Sequence, residues 1–164
     1  MKRARTGGFS LVEMLIVIAV LGILLAIGAD RMVALRTQLK LDRAAQTLAQ
    51  DLQACRGQSL AKSRVCRVAF LGNDRFEVAL SNSDQGSPGA IANVCTNTNF
   101  TPLRARKLPA GVRFTNVQAG DCVAFSTRGF AHFGASTPGQ FVLRDGARQR
   151  RVIPSMVGSV KVTR

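Results

Sequence analysis

The stretch from Phe9 to Ala29 runs for 21 residues with a single charge, Glu13, and nothing else in the chain restricts its folding as strongly. At about 1.5 Å of rise per residue, a helix over this stretch covers a hydrocarbon core of roughly 30 Å. Lys2, Arg3 and Arg5 precede it, and the preference for positive charge on the cytoplasmic side sends the rest of the chain outward. An ordinary secretory signal is the plainer alternative, since Ala26-Ile27-Gly28 has the small-x-small form of a cleavage site. The apolar run is longer than the roughly 7–15 residues of such a signal. A buried acid near its start also costs about 2.5–3.5 kcal/mol on insertion scales. A carboxylate kept at that cost points to a cation that meets it in the membrane.

Gly8-Phe9-Ser10-Leu11-Val12-Glu13, after a short basic leader and before a long apolar run, resembles the class III signal of type IV prepilins. The resemblance implies that a membrane aspartyl peptidase cuts after Gly8 and that the new amino terminus, Phe9, is methylated. The family's glutamate, the fifth residue of the mature chain, falls on Glu13. Its expected partner is the amino group of Phe9 on a neighbouring subunit, so Glu13 serves filament assembly. The implied partners are other pilins or pseudopilins through the N-terminal helix, the prepilin peptidase and the inner membrane. The implied location is a single-pass inner-membrane protein with a periplasmic head, later part of a pilus or pseudopilus.

Beyond the apolar run, Met32, Leu35, Leu39, Leu41, Ala45, Leu48, Leu52 and Cys55 recur at mostly helical intervals among polar residues, and no proline precedes Pro88. One helix is therefore expected from about residue 9 to residue 63, on the order of 80 Å long. Gly22 and Gly28 are its weak points. The expected organisation is a cleaved leader over 1–8, a membrane-spanning and assembly half of the helix over 9–29, an amphipathic half over 30–63, and a β-rich head over 64–164. The apolar pattern keeps no regular heptad, so the amphipathic face is expected to lie on a sheet rather than in a coiled coil.

Strand candidates follow at 65–71, 75–81, 112–117, 122–128, 141–145, 151–157 and 160–163, with Gly72-Asn73-Asp74, Asp145-Gly146 and Thr127-Arg128-Gly129 as reversals. Pro154 suggests an edge strand or bulge. Residues 82 to about 101, rich in Ser, Asn and Gly, read as a long loop. The fold class is α+β, a long N-terminal helix packed on an antiparallel β-sheet head.

Cys55, Cys66, Cys95 and Cys122 have no CxxC spacing, and one histidine, His132, gives a zinc site little to build on, so no metal or cofactor is expected. Disulfides suit an exported head, although four cysteines allow three pairings. An antiparallel return after the helix covers similar distances on both sides of the turn, about 10–12 Å, which favours Cys55 with Cys66. Cys95 is then left to tie the loop to Cys122.

The element order and the segment Val123-Ala124-Phe125-Ser126-Thr127-Arg128-Gly129 resemble the subgroup of pseudopilin H and the FimT/FimU minor pilins. FimT-type pilins take part in DNA uptake, and their C-terminal Gly-Arg-x-Arg pattern compares with Gly158-Ser159-Val160-Lys161 and the later Arg164. Ser159 and Lys161 replace the two arginines, which removes a planar fork at each position.

The formal charge is +14, and subtracting Lys2, Arg3 and Arg5 leaves about +11, which favours polyanionic partners. From Thr101 onward 11 Lys or Arg face two Asp. Arg144, Arg148, Arg150 and Arg151 flank one expected hairpin and, with Lys161 and Arg164, form a candidate contact for a DNA backbone. With no Trp or Tyr, recognition of single strands by stacking has little support. Ser126, Asp121 and His132 lie close in sequence, but there is no nucleophile elbow, phosphate loop or dinucleotide fingerprint, so an enzyme is not expected. The sequence therefore reads as a minor pilin of a type IV pilus, active in pilus priming and assembly and with DNA binding for natural transformation as a candidate role. The alternative is a pseudopilin H-like subunit of a type II secretion system.

Overall fold

The computed structural model of the chain describes residues 10–82, 94–95 and 99–163, without the side chains of residues 27–31. Gly8, Phe9 and Arg164 lie outside the described residues. One helix, α1 (Leu11–Lys62), precedes nine strands: β1 (Cys66–Phe70), β2 (Arg75–Ser81), β3 (Phe100–Lys107), β4 (Arg113–Phe114), β5 (Cys122–Phe125), β6 (Ala131–Phe133), β7 (Phe141–Asp145), β8 (Arg148–Pro154) and β9 (Val160–Thr163). The architecture is the α+β type expected. Two compact units divide the chain between Thr37 and Gln38, so the second part of α1 belongs with the sheets.

In the first unit, Ser10 starts the helix as its N-cap. Its Oγ accepts from the Glu13 amide at 3.2 Å, and its carbonyl accepts from the amides of Glu13 and Met14. Ser10 and Glu13 have the spacing of a capping box. The large apolar side chains from Leu11 to Leu25 are all exposed, around the whole circumference. Among the described residues, no helix is long and apolar enough to cross a membrane. The expected span over 9–29 lies partly beyond them, at Phe9 and at the side chains of residues 27–29.

In the second unit α1 buries Leu41, Ala44, Ala45, Leu48, Leu52, Cys55 and Ser59, a repeat of three and four that fills one helix face. Met32, Leu35 and Leu39, expected in the same stripe, are exposed instead. The spacing is helical throughout, but burial begins only at Leu41. α1 stops at Ser63, whose φ of 50° lets the Arg64 amide reach back to the Ser59 carbonyl at 3.3 Å, a Schellman-type end without glycine.

The strands form two antiparallel sheets, ordered β3-β2-β1-β5-β6 and β4-β7-β8-β9. Alternation along β1 sends Cys66, Val68 and Phe70 to the main core with the α1 stripe, and Ala69 to a second cluster with Cys122, Ala124 and Val94. Each face of the five-stranded sheet holds one disulfide: Cys55–Cys66 in the main core and Cys95–Cys122 on the far side, each with Cα atoms 5.5 Å apart. The two sheets meet through Phe70, which packs edge-on to Phe114 at 5.1 Å and tilted against Phe141 at 4.8 Å.

β2, β7 and β9 lie where the sequence places them. β3 begins inside the expected loop, and β6 lies outside the seven strand candidates. β3 is an edge strand with seven of its eight residues exposed, so it shows no alternation and is held by pairing to β2. The candidates at 112–117 and 122–128 shrink to Arg113–Phe114 and Cys122–Phe125, the latter because the chain turns at Ser126 to Gly129. The candidate at 151–157 moves to Arg148–Pro154, since Ser155 to Gly158 forms the turn into β9. Pro154 is not on an edge strand: β8 lies between β7 and β9. Pairing to β7 ends at Val152, so the amide that proline lacks is not required on that side.

Candidate functional site

Two surfaces hold the residues that the sequence marks as functional. At the first, the apolar start of α1, Glu13 is exposed in the third helical position, among side chains that would otherwise meet water on every side. An acid here also favours the positive end of the helix dipole. The helix dipole alone thus gives the Glu13 side chain a local role beside any role in assembly.

The second surface is the outward face of the four-stranded sheet. Arg113 of β4 stands opposite Arg144 of β7, Arg151 of β8 opposite Val142 and Thr163, and Lys161 of β9 opposite Ile153. Directly paired residues share a face, so these four cations lie on one side, and all four are exposed. Arg144 to Arg151 and Arg151 to Lys161 are diagonal neighbours, each about 7–8 Å apart by sheet geometry. The result is a file of positive charge running obliquely across all four strands, with no acidic residue among the described strand residues of that face. Like charges directly opposite, as at Arg113 and Arg144, oppose folding unless an anion lies over them.

Arg148 and Arg150 fall on the opposite, inward-facing side of β8. Arg150 donates from Nε to Asp42 Oδ1 at 2.5 Å, and its side chain is only 12% exposed. Arg148 lines a small cavity of about 240 Å³ with Gln38, Leu41 and Arg150. The expected cluster is therefore split by strand alternation. Arg144, Arg151 and Lys161 share a surface, which Arg113 joins, while Arg148 and Arg150 face the core side. Reading the strand from Arg148 rather than Arg151 would have revealed this division. Other basic residues are likewise engaged: Arg104 and Arg106 reach the buried Asp51 at 3.2 and 3.1 Å.

The enzyme-like trio is structural in its contacts. The Asp121 carboxylate accepts from the Gln118 amide at 2.8 Å and from Ser136 Oγ at 2.7 Å, and Ser126 Oγ accepts from the Phe130 amide at 3.2 Å. His132 sits in β6 opposite Ala124. No cluster of metal-binding side chains occurs among the described residues.

Residues 44–158 match the family described as Type II transport protein GspH, and residues 3–29 match the prokaryotic N-terminal methylation motif. The chain belongs to the GspH family. The GspH region takes in the buried stripe of α1 from Ala44 on and eight whole strands, together with Arg113, Arg144 and Arg151. Its fold is similar to that of the type IV minor pilin FimU of Pseudomonas aeruginosa PAO1, with a TM-score of 0.53 at 16% identity, over 77% of this chain and 90% of that one. It is also similar to the minor pseudopilin EpsH from the Type 2 Secretion System of Vibrio cholerae, with a TM-score of 0.51 at 11% identity, over 76% and 96% of the two chains. A sequence comparison with curated proteins finds no match.

Proposed function

We propose that this GspH-family chain is a minor pilin of a type IV pilus, assembled through the first part of α1. The observation that carries the reading is the helical stretch Leu11–Leu25, apolar and exposed on all sides, within the methylation motif. Such a surface is satisfied by lipid before assembly and by neighbouring helices after it. In this reading the prepilin peptidase cuts between Gly8 and Phe9, Phe9 is N-methylated, and residues 9–29 anchor the precursor in the inner membrane with the head in the periplasm. Glu13 then meets the Phe9 amino group of the next subunit.

Replacement of Glu13 by Ala is expected to leave the protein in the membrane fraction and to reduce its recovery in sheared filaments at least tenfold; recovery at the wild-type level would overturn the role of Glu13. The choice of filament is tested by deleting the gene. Loss of surface pili with protein secretion intact supports the pilus, and the reverse outcome assigns the chain to a secretion pseudopilus.

The oblique file of Arg113, Arg144, Arg151 and Lys161 favours a second role, contact with a DNA backbone. Full-length protein in detergent is expected to shift duplex DNA in a salt-dependent manner, with a log–log slope of about 0.9 per phosphate engaged. Changing Arg144 and Arg151 to Gln should lower that slope; an unchanged slope would remove this role.

A further inference from the structure

The surface where the last turns of α1 meet the turns that follow β5 and β8 is unconnected with the basic file. Gln53, Arg56, Gly57 and Leu60 stand at helical spacing on one face of α1, and with Ser159 and Val160 they line an open cavity of about 430 Å³. Arg56 is half-buried, and its Nε donates to the Gly129 carbonyl at 3.1 Å. No acceptor or acid among the described residues engages its Nη groups, and no carboxylate lines the cavity.

Two turns fix the arginine in place. Gly129 and Gly158 have φ of 78° and 84°, and a Cβ on Gly158 would lie 2.5 Å from Arg56 Cδ and 2.8 Å from the Gly129 carbonyl. The turns therefore close directly on the arginine side chain and leave the far edge of its planar fork to the cavity. Gly57 has the opposite character. Within a helix it costs roughly 1 kcal/mol relative to alanine. A Cβ there would meet nothing within 4 Å, so packing does not require the glycine. The missing side chain instead keeps the space beside Arg56 open. Leu60 lines the cavity and is 47% exposed, and Phe130, Met156 and Val157, in the two turns that close on Arg56, are 49%, 73% and 66% exposed.

We infer that this cavity is a carboxylate-binding site for an acidic segment of a different protein, with one Asp or Glu on the Arg56 fork and an adjacent apolar residue against Leu60 and Met156. The Arg56 Nη groups supply two parallel donors matched to a carboxylate, and the Gln53 amide and Ser159 hydroxyl stand in the wall beside them. A second copy of this chain is the poorer occupant. At about +11 without Lys2, Arg3 and Arg5 it repels itself, and Asp42, Asp51 and Asp74 are already paired with cations. The inference is independent of which filament the chain serves.

The test uses full-length protein in detergent and two dye-labelled probe peptides of sequence Gly-Ser-Leu-Glu-Phe-Gly and Gly-Ser-Leu-Gln-Phe-Gly, read by fluorescence anisotropy. The Glu peptide is expected to bind saturably and at least tenfold more tightly than the Gln peptide. Arg56→Gln should abolish that preference, whereas Arg43→Gln, an equal change of charge on an exposed position of the same helix, should keep it. Gly57→Leu fills the cavity without removing a contact, and should lower affinity for the Glu peptide at least tenfold with no fall in melting temperature. Equal binding of the two peptides, equal losses from Arg43→Gln and Arg56→Gln, or unchanged binding by Gly57→Leu would each overturn the site.

Discussion

Residues 11–26 and residues 41–59 belong to one helix, yet their side chains are arranged for different surroundings. The earlier stretch is apolar on every side and fully exposed, while the later one confines its apolar residues to a stripe that the sheets cover. A stripe is completed by a single chain. An all-round apolar surface requires either lipid or several other helices, so one element of secondary structure joins a part that folds by itself to a part that depends on its neighbours.

The largest expected contrast comes from shortening a leucine in each stretch. Leu48→Ala opens a hole in a fully buried layer and should lower stability of the head by about 3–4 kcal/mol in urea unfolding of the detergent-solubilised chain. Leu21→Ala, on an exposed position, should change it by less than about 0.5 kcal/mol. Equal losses would break the comparison, because both stretches would then belong to one cooperative core. Replacing Cys55 and Cys66 together by Ala should cost about 3 kcal/mol in the same assay, from restored freedom in the unfolded chain across an 11-residue separation. Asp51→Ala is expected to cost about 1–2 kcal/mol. The carboxylate is buried, but Arg104 and Arg106 are 56% and 41% exposed and turn to water when it is lost. The smallest effect separates two helical glycines: Gly57→Ala should raise head stability by about 0.5–1 kcal/mol, and Gly22→Ala should leave it unchanged.

Much of the head was legible because its strands alternate or end at recognisable turns. β7 and β8 are joined at Gly146, whose φ of 60° suits the glycine that marked the hairpin. The return of the chain after α1 also brought Cys55 and Cys66 into reach by simple rise arithmetic. β3 was hidden because an exposed edge strand, Phe100–Lys107, carries charge and proline where an inner strand carries valine. Periodicity in Met32, Leu35 and Leu39 showed helix but not burial, since spacing alone cannot say where a covering sheet begins. The split of the arginines was concealed by a strand boundary placed three residues late, which hid the alternation between Arg150 and Arg151. The carboxylate site left no motif at all. It depends on glycines from three separate segments, and only their convergence on Arg56 reveals it.

The Cys55–Cys66 bridge also bears on how the head responds to pulling. β1 is the middle strand of its sheet, and the bridge ties it covalently to α1 seven residues before the helix ends. Tension entering the head along α1 thus has a covalent route at Cys55 to the centre of the sheet, bypassing the last helical turns and the bend at Ser63. Those turns can fray under load without transferring the strain to β1 by way of the backbone. The last turns of α1 and the bend at Ser63 thus stay outside the covalent load path for as long as the cysteines remain oxidised.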